Sequence, residues 1–308
     1  MHRSFFVGLV LAFALSPAAA QQQIDFEKAQ VTTKDMGRGL HLLLSTGDNL
    51  FFVEGPNGVL LVDTNWAQMI DKITAAIAKT TGKPVKLVIN MHAHPDHLGG
   101  NEVLGKTGAL IIASENTRKH MTSGMTFFGQ TIPPYPQPAL PSLTVSDATI
   151  YFGGETIRLI RAPSAHTDSD LMIYFEEANV AHIGGVFGNS MGYPLFDRAN
   201  GGSIDGIIAG QAKLLSIVDD KTALYSDQGR AFNKKDLQES HDLLVIVRDR
   251  IQRLIDAGKS EDEAVAAKPT REFDKQWAPK GTFLTGDFLT RQIYESLKAA
   301  PAASATPQ

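Results

Sequence analysis

Three histidines and an aspartate fall within six consecutive positions, His92-Ala93-His94-Pro95-Asp96-His97. They follow the apolar-rich run Val85 to Ile89, which reads as a buried strand, and precede Gly99-Gly100. A strand that ends in a tight turn throws its next side chains beyond the sheet edge. Imidazoles crowded there repel one another when protonated; when neutral, their lone pairs converge on a point. Zinc requires that arrangement: neutral nitrogen donors at about 2.0–2.1 Å in a near-tetrahedral array. The competing reading, a cluster of solvated loop histidines, is disfavoured because the chain holds only nine histidines in 308 residues.

Other polar residues sit where they could serve such a centre. His166 comes just past the strand Thr156 to Ile160, so it can reach the same sheet end as His92 and His94. Asp168 fits a turn, or an outer partner of a ligand, better than a ligand itself. Asp63 closes the apolar run Val59 to Val62, where a turn or helix-capping residue is expected. His182 lies inside the strand Val180 to Ile183 and reads as a packed core histidine, whereas His241 reads as exposed on a long helix. From Met121 to Leu140 the chain changes character. Pro133-Pro134-Tyr135-Pro136-Gln137-Pro138 cannot join a helix or a central strand, and a loop of this length is usually functional or disordered. Two readings are open: a flap that holds Phe127, Phe128 and Tyr135 over the metal against an apolar substrate, or a rim loop packed on the body.

The elements that must position these groups follow from period and turn chemistry. Strands are expected at 41–44, 50–53 and 59–62, the last two joined by Gly55-Pro56-Asn57-Gly58. Gln68 to Thr80 carries Met69, Ile70, Ile73 and Ile77 at helical spacing. A short helix to Gly105 and a strand at 110–113 come after the histidine cluster. Thr149 to Phe152 and Thr156 to Ile160 form a hairpin about Gly153-Gly154, and further strands lie at 171–175 and 180–183. Ser203 caps a helix to Val218, with Asp205 suited to its positive end. Leu224-Tyr225 is a short strand, Leu237 to Ile255 a long helix, Lys268 to Gly281 irregular, and Asp287 to Lys298 helical. Alternation of strands and helices indicates an α/β sandwich.

His-x-His-x-Asp-His resembles the signature of the metallo-β-lactamase superfamily. The likeness extends to Val62-Asp63-Thr64 and Ala165-His166-Thr167-Asp168, and runs from about Leu40 to Leu244. It implies a four-layer αβ/βα sandwich with a metal site at one edge of its two sheets. It further implies His92, His94 and His166 around one zinc, Asp96 and His97 toward a second, and Asp63 as a carboxylate that orients a zinc-bound histidine. Two departures stand out. Many two-metal members carry Gly-Asp after a strand, and here Gly185 of Gly184-Gly185 takes the Asp position. Many also carry Gly-His-Gly, and in Asp227-Gln228-Gly229 the histidine is replaced by Gln228. Both losses strike the second site. One tightly bound Zn2+ is therefore expected, with a second that is weak or absent unless Asp227 restores a carboxylate or Gln228 lends an amide oxygen.

Three imidazoles and an open corner lower the pKa of a bound water to about 7. With one metal, Asp96 is expected as base and proton shuttle. The expected activity is a zinc-dependent hydrolase opening an activated cyclic amide or ester of a small molecule, a β-lactam first among them. The alternatives are a hydrolase of lactones or thioesters, or a non-catalytic metal- or ligand-binding relative. A di-iron redox role needs two complete sites and is disfavoured.

Composition sets the outer bounds. A net charge of −4 gives no basic stripe for nucleic acid. The absence of cysteine excludes disulfides, thiolate zinc sites and a cysteine nucleophile. Residues 1–20 have the basic start, apolar stretch and Ala18-Ala19-Ala20 end of a cleaved secretory signal. Without Arg3 the mature chain carries −5 (−4 minus one positive charge). A periplasmic or secreted protein is expected, free of the membrane after cleavage, with a single domain over 21–298 and a disordered tail over 299–308.

Overall fold

Residues 24–188, 192–278, 280–281 and 283–299 are described by the computed structural model of the chain. The expected signal peptide, its cleavage point and all but the first residue of the expected tail lie outside them.

The first half of the chain builds a seven-stranded sheet in the order β1-β2-β3-β4-β5-β6-β9. Its strands are β1 (Val31–Gly37), β2 (Leu40–Ser45), β3 (Asp48–Glu54), β4 (Val59–Val62), β5 (Val85–Ile89), β6 (Leu110–Ser114) and β9 (Leu143–Val145). Side chains alternate across a strand, and both faces here are apolar. Phe51 and Val53 of β3 and Leu60 and Val62 of β4 enter the core between the two sheets. Leu50, Phe52, Val59 and Leu61 point the other way, onto α1 (Ile70–Thr81) through Ile70, Ile73 and Ile77. Fourteen buried side chains make up that outer cluster. At roughly 1.5–3 kcal/mol for each large one, uncovering it would cost more than the ~5–15 kcal/mol by which domains are stable. The helix layer is therefore obligatory.

A second sheet has the order β10-β11-β12-β13-β14, from β10 (Ala148–Phe152), β11 (Glu155–Arg161), β12 (Leu171–Phe175), β13 (Val180–His182) and β14 (Ala223–Tyr225). Ile157, Leu159, Ile173 and Phe175 face the first sheet. Ile160, Met172 and Ala181 face a helical layer with Ile207, Leu244 and Ile293, from α5 (Ile204–Leu215), α6 (Lys234–Asp256) and α9 (Gly286–Lys298). The result is the expected four-layer αβ/βα sandwich. Among the described residues no helix is long and apolar enough to cross a membrane.

Several local expectations need correction. The segment 121–140 is not structureless, because it contains a two-stranded hairpin, β7 (Met125–Phe127) with β8 (Gln130–Ile132). Its two-residue turn is Phe128-Gly129, both at positive φ (46° and 78°), the type I′ geometry that matches strand twist. The prolines that follow leave room only for a single 3-10 turn, Gln137–Ala139. β1 carries no alternating apolar signal, because its residues are mostly exposed. The polar helix α4 (Glu115–Ser123), capped by Ser114, was also hidden. A one-turn helix, α8 (Asp274–Trp277), interrupts the stretch read as irregular. α6 begins at Lys234 because Asn233 and Asp236 form a reciprocal cap there.

Candidate metal centre

Strands β4, β5, β6 and β9 are parallel, as are β13 and β14. Their carboxyl ends point to the same edge, where open α/β sheets place their ligands. Asp63 follows β4, the 90–100 turn follows β5, the 183–188 segment follows β13, and Asp227 comes two residues after β14. The turn between β5 and α3 (Asn101–Lys106) is pinned by a buried amide pair. Asn90 Nδ2 donates to Asn101 Oδ1 at 3.1 Å, and Asn101 Nδ2 returns to Asn90 Oδ1 at 2.8 Å. Asn90 Nδ2 and Thr64 Oγ1 also donate to the His97 carbonyl. At Gly99 a Cβ would lie 2.6 Å from the Asn65 carbonyl oxygen, so only glycine permits this approach.

His92, His94 and His166 meet at this edge and are all buried. His92 Nε2 lies 3.1 Å from His94 Nδ1, which lies 3.2 Å from His166 Nε2. Tetrahedral donors at zinc distances would stand roughly 3.3–3.4 Å apart. The outer nitrogens fix the tautomers. His166 Nδ1 donates to the Leu195 carbonyl at 2.7 Å, and His94 Nε2 donates to Asp197 Oδ2 at 3.0 Å. A neutral ring protonated on its outer nitrogen has a bare inner one, so His94 Nδ1 and His166 Nε2 confront each other as lone pairs. Burial, together with the neighbouring imidazoles, holds the His92 pKa well below the ordinary value and lowers that of His166. Neutral donors, convergent lone pairs and the spacing together fit Zn2+.

A second cluster lies beside the first. His97, with ring centroid 3.9 Å from that of His92, has Nδ1 against Asp63 Oδ2 at 2.7 Å. Asp63 sits in the left-handed region (φ 60°) and also accepts from the Met91 N–H at 2.8 Å. His97 Nε2 is 3.9 Å from carboxylate oxygens of both Asp96 and Asp227. Burial opposes charge on His97, but Asp63, Asp227 and Asp96 together outweigh it and hold its pKa well above the ordinary value. Burial pushes Asp227 up to about 8, aided by the nearby carboxylates and opposed by His97. The Oδ1 atoms of Asp96 and Asp227 are both buried without a hydrogen-bond partner. Unmet acceptors of this kind suit a cation. Asp227 is thus the residue the structure turns toward this cluster, whereas Gln228 donates from Nε2 to Asp48 Oδ1 at 2.7 Å. Gly185 has a steric reason: a Cβ there would fall 2.6 Å from Cδ2 of His166. His182 is fully buried, with Nε2 donating to the Asn49 carbonyl at 3.0 Å.

The hairpin β7–β8 brings Phe127 onto His94 (centroids 4.9 Å) and against Phe128 (4.8 Å). Tyr135 packs on the Ala93, Leu98 and Met121 cluster, and burial and Asp96 push its pKa up to about 12. Of the two readings of Asp168, a turn residue or an outer partner of a ligand, the structure has the turn. Its carboxylate pairs with His120 at 2.7 Å and touches no ligand, because the loop is closed inward by Asp170, which accepts from Thr167. Asp197, which holds His94, was missed. It stands 103 residues from its partner in sequence, inside a turn it also caps through the Ala199 and Asn200 N–H groups. A capping aspartate is all that stretch shows.

The sequence profile of the metallo-beta-lactamase superfamily matches residues 47–200, half of the chain. The chain belongs to that superfamily of metallo-hydrolases. Solved structures agree in fold. A metallo-beta-lactamase from Pontibacter korlensis superposes with a TM-score of 0.59 at 17% identity, covering 70% of this chain and 99% of that one. One from Hirschia baltica gives 0.57 at 17% identity, covering 70% and 98%. A linear primary-alkylsulfatase from Pseudomonas sp. is 33% identical over 73 residues, 21% of this chain and only 13% of its own length.

Proposed function

We propose that the chain is an exported zinc-dependent hydrolase that opens an activated cyclic amide or ester, a β-lactam before a lactone or thioester. The observation that carries the reading is the convergence of His92, His94 and His166, each of the last two held from behind, beside Asp96, whose Oδ1 is buried without a hydrogen-bond partner. One Zn2+ is held tightly by the three histidines, and a second, weaker site uses Asp96, His97 and Asp227. When bound, the metal supplies a Lewis acid and a nucleophilic water at neutral pH.

The chain's own groups do the rest. Asp197 and the Leu195 carbonyl keep the His94 and His166 lone pairs aimed inward. Asp96 Oδ1 accepts a proton from the attacking water as its oxygen bonds to the substrate carbonyl carbon. It returns that proton to the nitrogen or oxygen released when the ring bond breaks. Phe127 covers His94 and excludes bulk water, which strengthens every electrostatic interaction beneath it. The signal-like start of the chain supports export to the periplasm, where β-lactams act.

A chromogenic β-lactam, a lactone and a thioester, offered to the purified chain with and without a chelator, test the activity. Chelator-sensitive turnover of the β-lactam is expected. Inactivity toward all three with zinc bound would leave only a metal-binding role. Metal analysis after exhaustive dialysis should give one zinc per chain, and two retained ions would refute the weak second site.

A further inference from the structure

Next to the metal centre is a cavity of about 410 Å³ whose wall begins at His94. It is lined by Phe128 at the tip of the β7–β8 hairpin, by Leu195 and Phe196, and by Phe283 and Phe288. The last two come from the C-terminal segment, outside residues 47–200 of the family match. They stack edge to face at 5.2 Å. α9 is fixed in place: Leu289 and Ile293 are buried in the helical core, and Gln292 Nε2 donates to the Phe196 carbonyl at 3.1 Å. The adjoining Leu195 carbonyl holds His166. The C-terminal helix therefore builds on the same short segment that orients a candidate metal ligand.

The lining dictates what the cavity accepts. Arg198 and Glu295 form an ion pair with each other, and Asp197 is engaged by His94 and Asn200. The charges on the wall already have partners, and the rest is largely aromatic and aliphatic. The volume is more than twice the ~150 Å³ that holds a benzene ring and lies within the ~300–1,000 Å³ of small-molecule sites. His94 is shared between this wall and the three-histidine cluster, so a substrate held at the cluster lies beside the space.

We infer that this cavity binds an uncharged apolar arm of the substrate, larger than one phenyl ring and attached to the scissile carbonyl, and that Phe283 and Phe288 make the C-terminal segment a specificity wall. This rests on the metal-centre reading above. Hydroxamates test the two separately, because the hydroxamate head binds zinc and the acyl chain probes the wall. Affinities of acetohydroxamate and octanohydroxamate are measured by calorimetry on the zinc-loaded full chain, its Phe283→Ala and Phe288→Ala variants, and the chelated protein. Each buried methylene favours binding roughly fourfold, so the longer chain should bind at least about tenfold more tightly. Both variants should lose most of that preference while keeping their affinity for acetohydroxamate. Phe283 is 45% exposed, so its variant tests the wall without loss of fold. Equal affinities for the two hydroxamates, or a preference intact in both variants, would overturn the inference and leave the metal centre standing. Acetohydroxamate binding that does not depend on zinc would remove the metal-centre reading, and the inference with it.

Discussion

Replacing Asp197 by Asn should weaken zinc binding by roughly 10- to 100-fold without unfolding the protein. In the native chain Asp197 Oδ2 accepts from His94 Nε2 at 3.0 Å and from Asn200 Nδ2 at 2.5 Å, while Oδ1 accepts from the Ala199 and Asn200 N–H groups. All four neighbours are donors. An asparagine has one acceptor oxygen, so it can keep the turn or the histidine but not both. If the oxygen keeps the turn, its NH2 faces His94 Nε2, and that ring can relax only by moving its proton to Nδ1. That nitrogen faces His92 and His166 at 3.1 and 3.2 Å, and a proton there blocks coordination. A charge-assisted hydrogen bond is worth about 1.5–3 kcal/mol, which covers the stated loss of affinity. Competition of the metal-free protein against a chromophoric chelator gives the zinc dissociation constant, and circular dichroism checks the fold. An affinity within twofold of wild type would show that Asp197 does not orient His94.

Asp96→Asn should lower turnover by about 10²- to 10⁴-fold while zinc stays bound; steady-state kinetics with metal analysis would expose unchanged turnover. Gly185→Ala should cost about tenfold in zinc affinity, the scale on which a disturbed ligand orientation tells, because the new Cβ must displace the His166 ring. The same chelator competition checks this, and unaltered binding would remove the steric account of Gly185. Burial lowers the His182 pKa from 6.5 to about 4. A depressed folded-state value means stability present above pH 6.5 and lost as the pH falls toward 4, about 3 kcal/mol in all. Urea unfolding of metal-free wild type and His182→Gln at pH 7 and pH 4 should show the variant losing about 3 kcal/mol less; equal losses would contradict it.

The metal centre was legible to the extent that it is local. His92, His94, Asp96 and His97 announce themselves because a strand and a tight turn place neighbours in sequence at one point in space. The four layers were legible for a related reason: apolar faces repeat with the period of their element. Partners from afar left no such trace. Asp197 looks like any turn aspartate until the fold brings it to His94, and Asp168, nearer His166 in sequence, turned out to serve His120. Asp227 was named only as a conditional substitute, because whether it or Gln228 turns inward depends on how the loop after β14 bends. The β7–β8 hairpin was hidden by its brevity and by the prolines that follow it.

His92, His94, Asp96 and His97 issue from the first sheet, and His166 and Asp227 from the second. A cation gripped by both would act as a rivet through the seam between them. Its binding energy would count toward holding the halves together, and neither half, expressed by itself, would inherit a complete set of donors.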